Sequence, residues 1–297
     1  MVRENIVVIL DHVFAVICLL GLIQNILLFL VLSRRKFHST IFSTYFRYLC
    51  LIDSLTLIGR IDYFLLTNGL DNFRYISSIS CKIAFYVIYL LPSSHGWIIF
   101  YIAFDRFLSI SMPNRFLFRK KSKFQYTLCM ITLFYNMVFY IPLLFTTELK
   151  LNQTNTSRTV YDCRNQSQLV NSIDIINATV LPFILMLISN ILSVRTIFKS
   201  RQKGNYSTKI KKKDTRFAIT SISLNISFLF LNIPLSIYLI LENVFNLQYY
   251  SLTFIILTIL FYSNYGSLFH VLFMFNSIIR KEVRVVYNII KSKLFFL

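Results

Sequence analysis

The sequence contains few of the residues that build catalytic and metal sites. Its 297 residues include four histidines, six glycines and only 12 acidic residues, against 31 lysines and arginines. It has no His-Glu-x-x-His segment, no pair of catalytic carboxylates and no glycine-rich phosphate loop. These absences argue against an enzyme, and no pattern in the chain requires a cofactor or a metal ion.

Hydrophobic residues are abundant instead. They make up 56% of the chain, with 30 phenylalanines and 18 tyrosines, which is more apolar surface than one soluble core can bury. Windows of about 20 apolar residues fit helices that cross a bilayer. The pattern predicts an all-α membrane protein, one domain over residues 1–297, whose first helix is retained because no small-residue cleavage site follows it. Seven helices are predicted, at about 6–33, 41–66, 79–110, 124–146, 174–198, 216–241 and 249–276.

Positive charge is concentrated on one side of the predicted bundle. The segments 34–47, 106–123, 195–216 and 280–293 hold 24 of the 31 lysines and arginines. Because cationic loops stay in the cytoplasm, we expect the amino terminus outside and the carboxyl terminus inside. Contact with anionic membrane lipid accounts for most of this charge, so no nucleic-acid partner is expected.

The predicted outer loop after helix four carries two further signals. Asn152, Asn155 and Asn165 each open an Asn-x-Ser/Thr triplet, which predicts glycosylation on the outer side. Cys81 lies at the outer end of helix three and Cys163 lies in the same loop as the triplets. Both occupy oxidising space with no competing extracellular cysteine, so we expect a disulfide between them.

The segment AFDRFLSI, residues 103–110, places an acid and a base side by side at the end of an apolar helix. From Cys81 to Asp105 is 24 residues, or about 36 Å of helix. That length crosses the hydrocarbon, so Asp105 and Arg106 are predicted at the cytoplasmic mouth of the bundle, where water and protein partners can reach them.

Together these features resemble the rhodopsin-like G-protein-coupled receptors over almost the whole chain. The triplet Asp105-Arg106-Phe107 is similar to the family's Asp-Arg-Tyr motif, and SIIRKEV after helix seven resembles the start of a short amphipathic eighth helix, predicted at about 278–293. Further positions similar to family motifs are Asn25 in GLIQNILLFLVL, Asp53 in LCLID, and the helix-bending prolines Pro182 and Pro234.

The resemblance implies a plasma-membrane receptor that binds an extracellular ligand and activates a heterotrimeric G protein through outward movement of helix six. It assigns activation to Arg106, held by Asp105 and by Asp214, which lies twenty residues before Pro234. The alternative is that Asp214 only tempers a run of lysines. The segments RFAITSISLNISFLFLNIP and FYSNYGSLF are similar to invertebrate FMRFamide-type receptors, which favours a peptide ligand.

Two family motifs are lost. Cys-Trp-x-Pro in helix six is replaced by LNIP, with Asn232 in the tryptophan position, and Asn-Pro-x-x-Tyr in helix seven is replaced by LFHVL, residues 268–272. The alternative that the protein is an atypical or weakly coupled receptor therefore remains.

The resemblance also places Asp53 within the membrane, where a carboxylate needs a partner. Asn25 and His95 are the candidates, and two interpretations of His95 remain: a bond to Asp53, or a bond to a backbone carbonyl. Many members of the family bind sodium beside this aspartate with a small hydroxyl residue from helix three. His95 takes that position here, so sodium binding is not expected.

By analogy, the ligand pocket lies among the outer parts of the helices. Ile88 stands where amine receptors carry an aspartate, so a biogenic amine is not expected. Outer acids either attract a cationic peptide or are plain solvated charges. The pocket candidates are Tyr63, Ile88, Tyr89, Pro92, Asp174, Asn232, Tyr238, Thr258 and Tyr262.

Three other classes compete with this interpretation. A transporter would show internal repeats, and none is found. A ligand-gated channel would need a pore-lining signature, and none is visible. A chemosensory receptor of the bitter-taste type is the nearest alternative, because it also has seven helices and a glycosylated outer loop.

Overall fold

The computed structural model describes residues 2–37, 41–67, 77–112, 122–153, 159–165, 167–202, 208–245 and 251–294. Within these ranges the chain is a bundle of long helices, which confirms the predicted all-α membrane fold. Helices one to four are Val2–Leu32, Ile41–Thr67, Ser78–Ser111 and Ser122–Phe139. Helix five runs through Gln168–Ile175, Ile176–Val180 and Leu181–Gln202, and helices six to eight are Thr208–Phe245, Ser251–Phe275 and Ser277–Leu294.

Six of the described helices are long and apolar enough to cross a membrane. Helix two is less apolar because it carries Arg47, Asp53 and Arg60. It nevertheless has a membrane-facing side, since Leu51, Leu55 and Ile58 are about half exposed. Its other side is buried in the bundle core through residues such as Leu49, Cys50 and Ile52.

Helix four ends at Phe139 rather than at residue 146 as predicted. Pro142 has no backbone N–H to continue the helix, and the residue before a proline avoids the helical conformation. Residues 140–142 form a turn instead, and a single helical turn follows at Leu143–Thr146. Helix five begins six residues before its predicted start at 174, since the Ser167 hydroxyl accepts a hydrogen bond from the Val170 N–H at its first turn.

The loop between helices four and five contains a β-hairpin that the sequence pattern did not predict. Strand β1, Thr147–Gln153, pairs antiparallel with strand β2, Thr159–Asn165, and Leu149 lies opposite Cys163. The predicted disulfide is present between Cys163 and Cys81, with their Cα atoms 5.9 Å apart. It ties β2 to the first turn of helix three, and we call this side of the bundle the disulfide end.

Helix five is widened by one π-helical turn, Ile176–Val180, which ends two residues before Pro182. Proline cannot donate a hydrogen bond to the Ala178 carbonyl four residues earlier. Helix three approaches that carbonyl through Gly96, where an added Cβ atom would lie 2.7 Å from the Ala178 oxygen. A glycine is therefore required at this crossing of helices three and five.

Helix eight is joined to the connection between helices one and two by charge. Glu282 accepts a hydrogen bond from Lys36 Nζ at 2.8 Å and pairs with Arg34 Nη1 at 2.9 Å. The hydrogen bond from Lys36 holds the pKa of the Glu282 carboxyl below its ordinary value. These contacts fix helix eight against the end of the bundle opposite the disulfide.

Candidate functional site

The centre of the bundle holds a polar triad on three helices. His95 Nδ1 of helix three lies 2.6 Å from Asp53 Oδ1 of helix two. The other ring nitrogen, Nε2, lies 3.0 Å from the amide nitrogen of Asn264 on helix seven. All three residues are at most 2% exposed. The imidazole thus connects helices two and seven through helix three.

The geometry allows the triad two protonation states. A neutral imidazole donates its Nδ1–H to Asp53 and accepts from the Asn264 amide nitrogen at Nε2. An imidazolium donates from both nitrogens, which requires the Asn264 amide to turn its oxygen toward Nε2. In both states the Nδ1–H of the imidazole donates to Asp53 Oδ1.

Aromatic rings enclose the imidazole. Tyr265 stands edge-on to it at 4.9 Å between ring centroids, and Phe228 of helix six stacks on it at 6.3 Å. Because Phe228 belongs to helix six, the triad is in contact with the helix that the family resemblance assigns to signalling. A rotation of helix six would change the surroundings of His95 directly.

Asn25 joins helix one to helix seven rather than to Asp53. Its Nδ2 donates to the Tyr265 carbonyl at 2.9 Å. Asn25 Oδ1 and Asp53 Oδ2 have no hydrogen-bond partner within the described part of the chain. The imidazole thus takes one of the two carboxylate oxygens of Asp53, an oxygen that a sodium ion at this aspartate would otherwise use.

A second polar network joins helices three, four and five at about the depth of the triad, since Ser93 lies two residues before His95 on helix three. The Asn177 amide nitrogen donates to Ser93 Oγ at 3.0 Å, and Ser93 Oγ donates to Asn136 Oδ1 at 2.8 Å. The Tyr135 hydroxyl and the Trp97 indole N–H donate to the side-chain oxygen of Asn177, Oδ1. Asn177 lies on the π-helical turn, and its side-chain amide points from this widened turn into the bundle. The sequence analysis did not single out this network.

Two of the predicted ligand residues lie beside this network. The Tyr140 hydroxyl donates to Asp174 Oδ1 at 2.5 Å, and the Tyr89 hydroxyl donates to Asn171 Oδ1 at 3.0 Å. The rings of Tyr89 and Tyr140 are 6.2 Å apart. The structure thus groups the carboxylate of Asp174 with two tyrosines. Ile88 is half-buried one position before Tyr89 on helix three.

Other predicted ligand residues lie on helices six and seven. Thr258 and Tyr262 are buried, and the Tyr238 ring is 6.3 Å from the Phe254 ring. Tyr63 lies on helix two and Pro92 on helix three. The side chain of Tyr63 is outside the described residues.

An arginine that the sequence analysis passed over lies beside Tyr262. The Arg60 guanidinium carbon is 5.0 Å from the centre of the Phe14 ring and 5.2 Å from that of Tyr262. Arg60 also interacts electrostatically with Asp11 of helix one. A charged residue seven positions after Asp53 in a spanning helix was the available signal, since intramembrane charges usually mark function.

Helix six is bonded within itself around its proline. The Asn232 amide nitrogen donates to the Phe228 carbonyl at 2.8 Å, and Ser236 Oγ donates to the Asn232 carbonyl at 3.1 Å. Ser236 Oγ also donates to Thr179 Oγ1 of helix five at 3.3 Å. Asn232 therefore supports the backbone beside Pro234, in the position where the family carries a tryptophan.

The Asp105–Arg106 pair is less accessible than the sequence suggested. Asp105 is 4% exposed and Arg106 8% exposed at the end of helix three opposite the disulfide, and Phe107 is partly buried. Helices five and six both pack against helix three, and a protein partner can reach the buried Arg106 only after the surrounding side chains or helices move. Asp214 lies on helix six, and its side chain is outside the described residues.

Comparison with known proteins assigns the family. The sequence profile of the family described as 7 transmembrane receptor (rhodopsin family) matches residues 24–278. That range begins one residue before Asn25 and ends in the first turn of helix eight, so it covers all seven spanning helices except the start of helix one. A comparison with curated proteins found no match. Members of this family are multi-pass receptors of the plasma membrane, not enzymes, and they signal to G proteins when an extracellular ligand binds. The chain belongs to the rhodopsin family of seven-transmembrane receptors.

Proposed function

We propose that the receptor binds a peptide at its disulfide end, outside the cell, and activates a G protein at the opposite end by outward movement of helix six. The orientation is supported by charge, because the four segments that the sequence predicts on the cytoplasmic side hold 24 of the 31 lysines and arginines. The Cys81–Cys163 disulfide agrees with it, since disulfides persist in oxidising space.

Asp174 supports a ligand that carries a cation. Its carboxylate is held by the Tyr140 hydroxyl at 2.5 Å, and Tyr89 lies in the same group. A carboxylate beside aromatic rings attracts ammonium and guanidinium groups. The amino terminus or a basic side chain of a peptide provides such a group. Ile88 stands in the position where amine receptors carry the aspartate that binds the ligand's cation. In this receptor Asp174 on helix five binds that cation instead.

The burial of Arg106 is the observation that carries the signalling proposal. A residue that serves the G protein while 8% exposed needs a second conformation in which it is uncovered. Pro182 and Pro234 provide the bends, since each removes a backbone hydrogen bond from its helix. We propose that Asp214 of helix six pairs with Arg106 in the closed state, the alternative being that Asp214 only offsets the charge of the neighbouring lysines. Such a pair contributes about 1 kcal/mol, which shifts a two-state equilibrium about fivefold.

The test is basal G-protein activation in cells that express the wild type, Asp214→Ala, or Asp214→Ala combined with Arg106→Ala. An amino-terminal epitope tag on intact cells matches the surface levels and reports the orientation. We expect Asp214→Ala to raise basal activity severalfold and the added Arg106→Ala to abolish it. Glu282→Ala is the matched control, because it removes an acid from the same side of the membrane without contact to helix three.

Absence of basal G-protein activation in the wild type and in both variants, at matched surface levels, would refute the helix three–six lock. It would favour the second candidate, an atypical chemosensory receptor with weak coupling. One observation favours that candidate: Leu268 and Leu272 are 2% and 0% exposed where the family carries the polar residues of its helix-seven motif. Apolar packing at these positions removes groups that relatives use to rearrange helix seven.

The two ends of the molecule support two further parts of the proposal. Asn152 lies on β1 and Asn165 on β2, while Asn155 lies outside the described residues. All three are proposed glycosylation sites of the outer loop. Helix eight has Ile278, Val285 and Tyr287 exposed beside Arg280, Lys281 and Arg284, a composition that suits anionic lipid.

A further inference from the structure

We propose that the site around Asp174 takes an ammonium group and discriminates against a guanidinium, so that the ligand's cation is a peptide amino terminus or a lysine side chain and not an arginine. The inference rests on the proposed peptide-binding function and adds the chemical class of the cation to it. The residue that sets the preference is Tyr140, to which the sequence motifs assign no role.

Two tyrosines reach one face of helix five. The Tyr140 hydroxyl donates to Asp174 Oδ1 at 2.5 Å, and the Tyr89 hydroxyl donates to Asn171 Oδ1 at 3.0 Å. Asn171 and Asp174 are three residues apart, so their side chains are neighbours on that face. The two tyrosine rings lie 6.2 Å apart, and Tyr89 interacts electrostatically with Asp174. The carboxylate therefore lies beside two aromatic rings that also carry hydroxyl groups.

The group lies at a depth that a ligand from the disulfide end can reach. Tyr89 is eight residues after Cys81 on helix three, about 12 Å along the helix from the disulfide. Phe85, one turn nearer the disulfide, stacks on Tyr89 with 6.2 Å between the ring centroids. Phe85, Tyr89 and Asp174 keep part of their surface exposed, whereas Tyr140 is 1% exposed. A cation that enters from that end meets aromatic rings first and the carboxylate next, and cation–π contacts favour its passage.

Tyr140 already uses one oxygen of the Asp174 carboxylate. A guanidinium binds a carboxylate as a planar fork, with two parallel hydrogen bonds that need both oxygens. An ammonium is a compact charge with three donors, and one carboxylate oxygen is enough for it. Asp174 Oδ2 supplies that oxygen, and the Tyr89 hydroxyl oxygen keeps a lone pair for a second N–H. The site therefore suits an ammonium better than a guanidinium.

The Tyr140 hydroxyl is also held from its other side. It accepts a hydrogen bond from the Asn177 amide nitrogen at 3.4 Å, and the same nitrogen donates to Ser93 Oγ at 3.0 Å. A ligand that pushed the hydroxyl away from Asp174 would break hydrogen bonds on both sides of a buried ring. Tyr140 therefore stays in place when a cation binds, and the fork of a guanidinium finds only one free oxygen.

The experiment compares four amides on the purified full-length receptor by thermal unfolding, at about pH 6.5 so that amino groups are protonated. Phenylalaninamide carries an α-ammonium, and N-acetyl-phenylalaninamide is its neutral match. N-acetyl-lysinamide carries a side-chain ammonium, and N-acetyl-argininamide is its guanidinium match.

We expect one or both ammonium probes at about 10 times their Kd to raise Tm by about 3 °C, and the neutral amide to leave it unchanged. The guanidinium probe should bind at least about fivefold more weakly than the better ammonium probe. The ammonium probe that binds more tightly identifies whether the cation comes from an amino terminus or from a lysine side chain.

Variants locate the effect. Asp174→Asn removes the carboxylate and should weaken the ammonium probes at least about tenfold. Tyr140→Phe frees Asp174 Oδ1 for a fork, so the Kd of the guanidinium probe should come within about twofold of the ammonium value. A purely structural role of Tyr140 would weaken all charged probes alike and leave their ratio unchanged. Tyr135→Phe is the matched control, because it removes a tyrosine hydroxyl that donates to Asn177 instead, and it should keep the wild-type ratio.

Equal affinity of the wild type for the ammonium and guanidinium probes would overturn the inference, as would a Tyr140→Phe receptor that keeps the wild-type ratio. Absence of stabilisation by every charged probe would overturn it as well. If Tyr140→Phe fails to fold, the wild-type ratio and the loss in Asp174→Asn still decide. Such failure is separate from failure of the proposed function, because the basal signalling test of Arg106 and Asp214 uses no ligand.

Discussion

His95 and Asp53 form a buried contact of 2.6 Å in which an imidazole nitrogen faces a carboxylate oxygen at the centre of the bundle. A carboxylate there needs a partner, because it has left water for an apolar interior. The imidazole supplies a hydrogen bond in every protonation state and a positive charge in one of them. Helix two is thereby tied to helix three, and helix seven joins through Asn264.

The first prediction concerns the stability of this contact. His95→Ala leaves the Asp53 carboxylate buried without its partner and should lower the free energy of unfolding by about 3 kcal/mol, seen as a lower Tm of the purified receptor. Adding Asp53→Asn to His95→Ala should recover part of the loss, because the uncompensated charge is then gone. A double variant no more stable than the single one would show that the pairing is incidental.

The second prediction concerns sodium. His95→Ser replaces the imidazole by a small hydroxyl group, which frees both oxygens of Asp53 for a cation. We expect the Tm of this variant to rise with sodium chloride and not with choline chloride at equal ionic strength, while the wild type shows no such difference. A wild type that responds to sodium as strongly as His95→Ser would contradict the assignment of the imidazole.

A third prediction follows from the crossing of helices three and five. Gly96→Ala places a Cβ atom 2.7 Å from the Ala178 carbonyl oxygen, a backbone atom that cannot move alone. We expect a loss of about 1–3 kcal/mol in unfolding free energy from overpacking. Gly59→Ala on helix two is the matched control, since nothing lies within 4 Å of its added Cβ atom. Equal Tm values for the two variants would contradict the close approach.

The fourth prediction is a pH dependence at helix eight. The pKa of Glu282 is lower in the folded protein than its ordinary value, mainly because Lys36 donates a hydrogen bond to it. A depressed pKa stabilises the fold above the unfolded pKa of about 4.3, and the stabilisation is lost as the pH falls through the folded value. The wild type should therefore exceed Glu282→Gln in stability by about 1 kcal/mol at pH 7. The difference should fade below about pH 4, and a constant difference across this range would contradict the ion pair.

Local sequence patterns located the spanning helices well and their ends less well. Helices one, two, three, seven and eight agree with their predicted ranges to within a few residues, because runs of about 20 apolar residues leave little freedom. Helix six is longer than predicted, at Thr208–Phe245 against 216–241. Helices four and five differ where Pro142 and the π-helical turn before Pro182 interrupt the regular period. The hairpin of β1 and β2 escaped prediction, since its strands are polar and stabilised by each other and by the disulfide.

Some residues of the candidate site could likewise be found from the sequence, and others could not. Asp53, Arg106, Cys81 and Cys163 stand out by residue type alone, because charge in an apolar helix and cysteine in an oxidising loop are unusual. Arg60 carries the same signal but was not singled out, and His95 had two open interpretations. Their roles depend on which rings and oxygens neighbouring helices bring to them, and a pattern within one helix contains no such information.

By itself, the sequence determined that this protein crosses the membrane seven times and that its positive charge lies on one side, since hydropathy and charge act locally. Only the tertiary structure decided that His95 faces Asp53, that Gly96 meets the Ala178 carbonyl and that Arg60 lies between Phe14 and Tyr262. Each of these contacts joins residues far apart in the chain. The rotation and depth at which the helices pack determine them, and packing is settled by all the helices together.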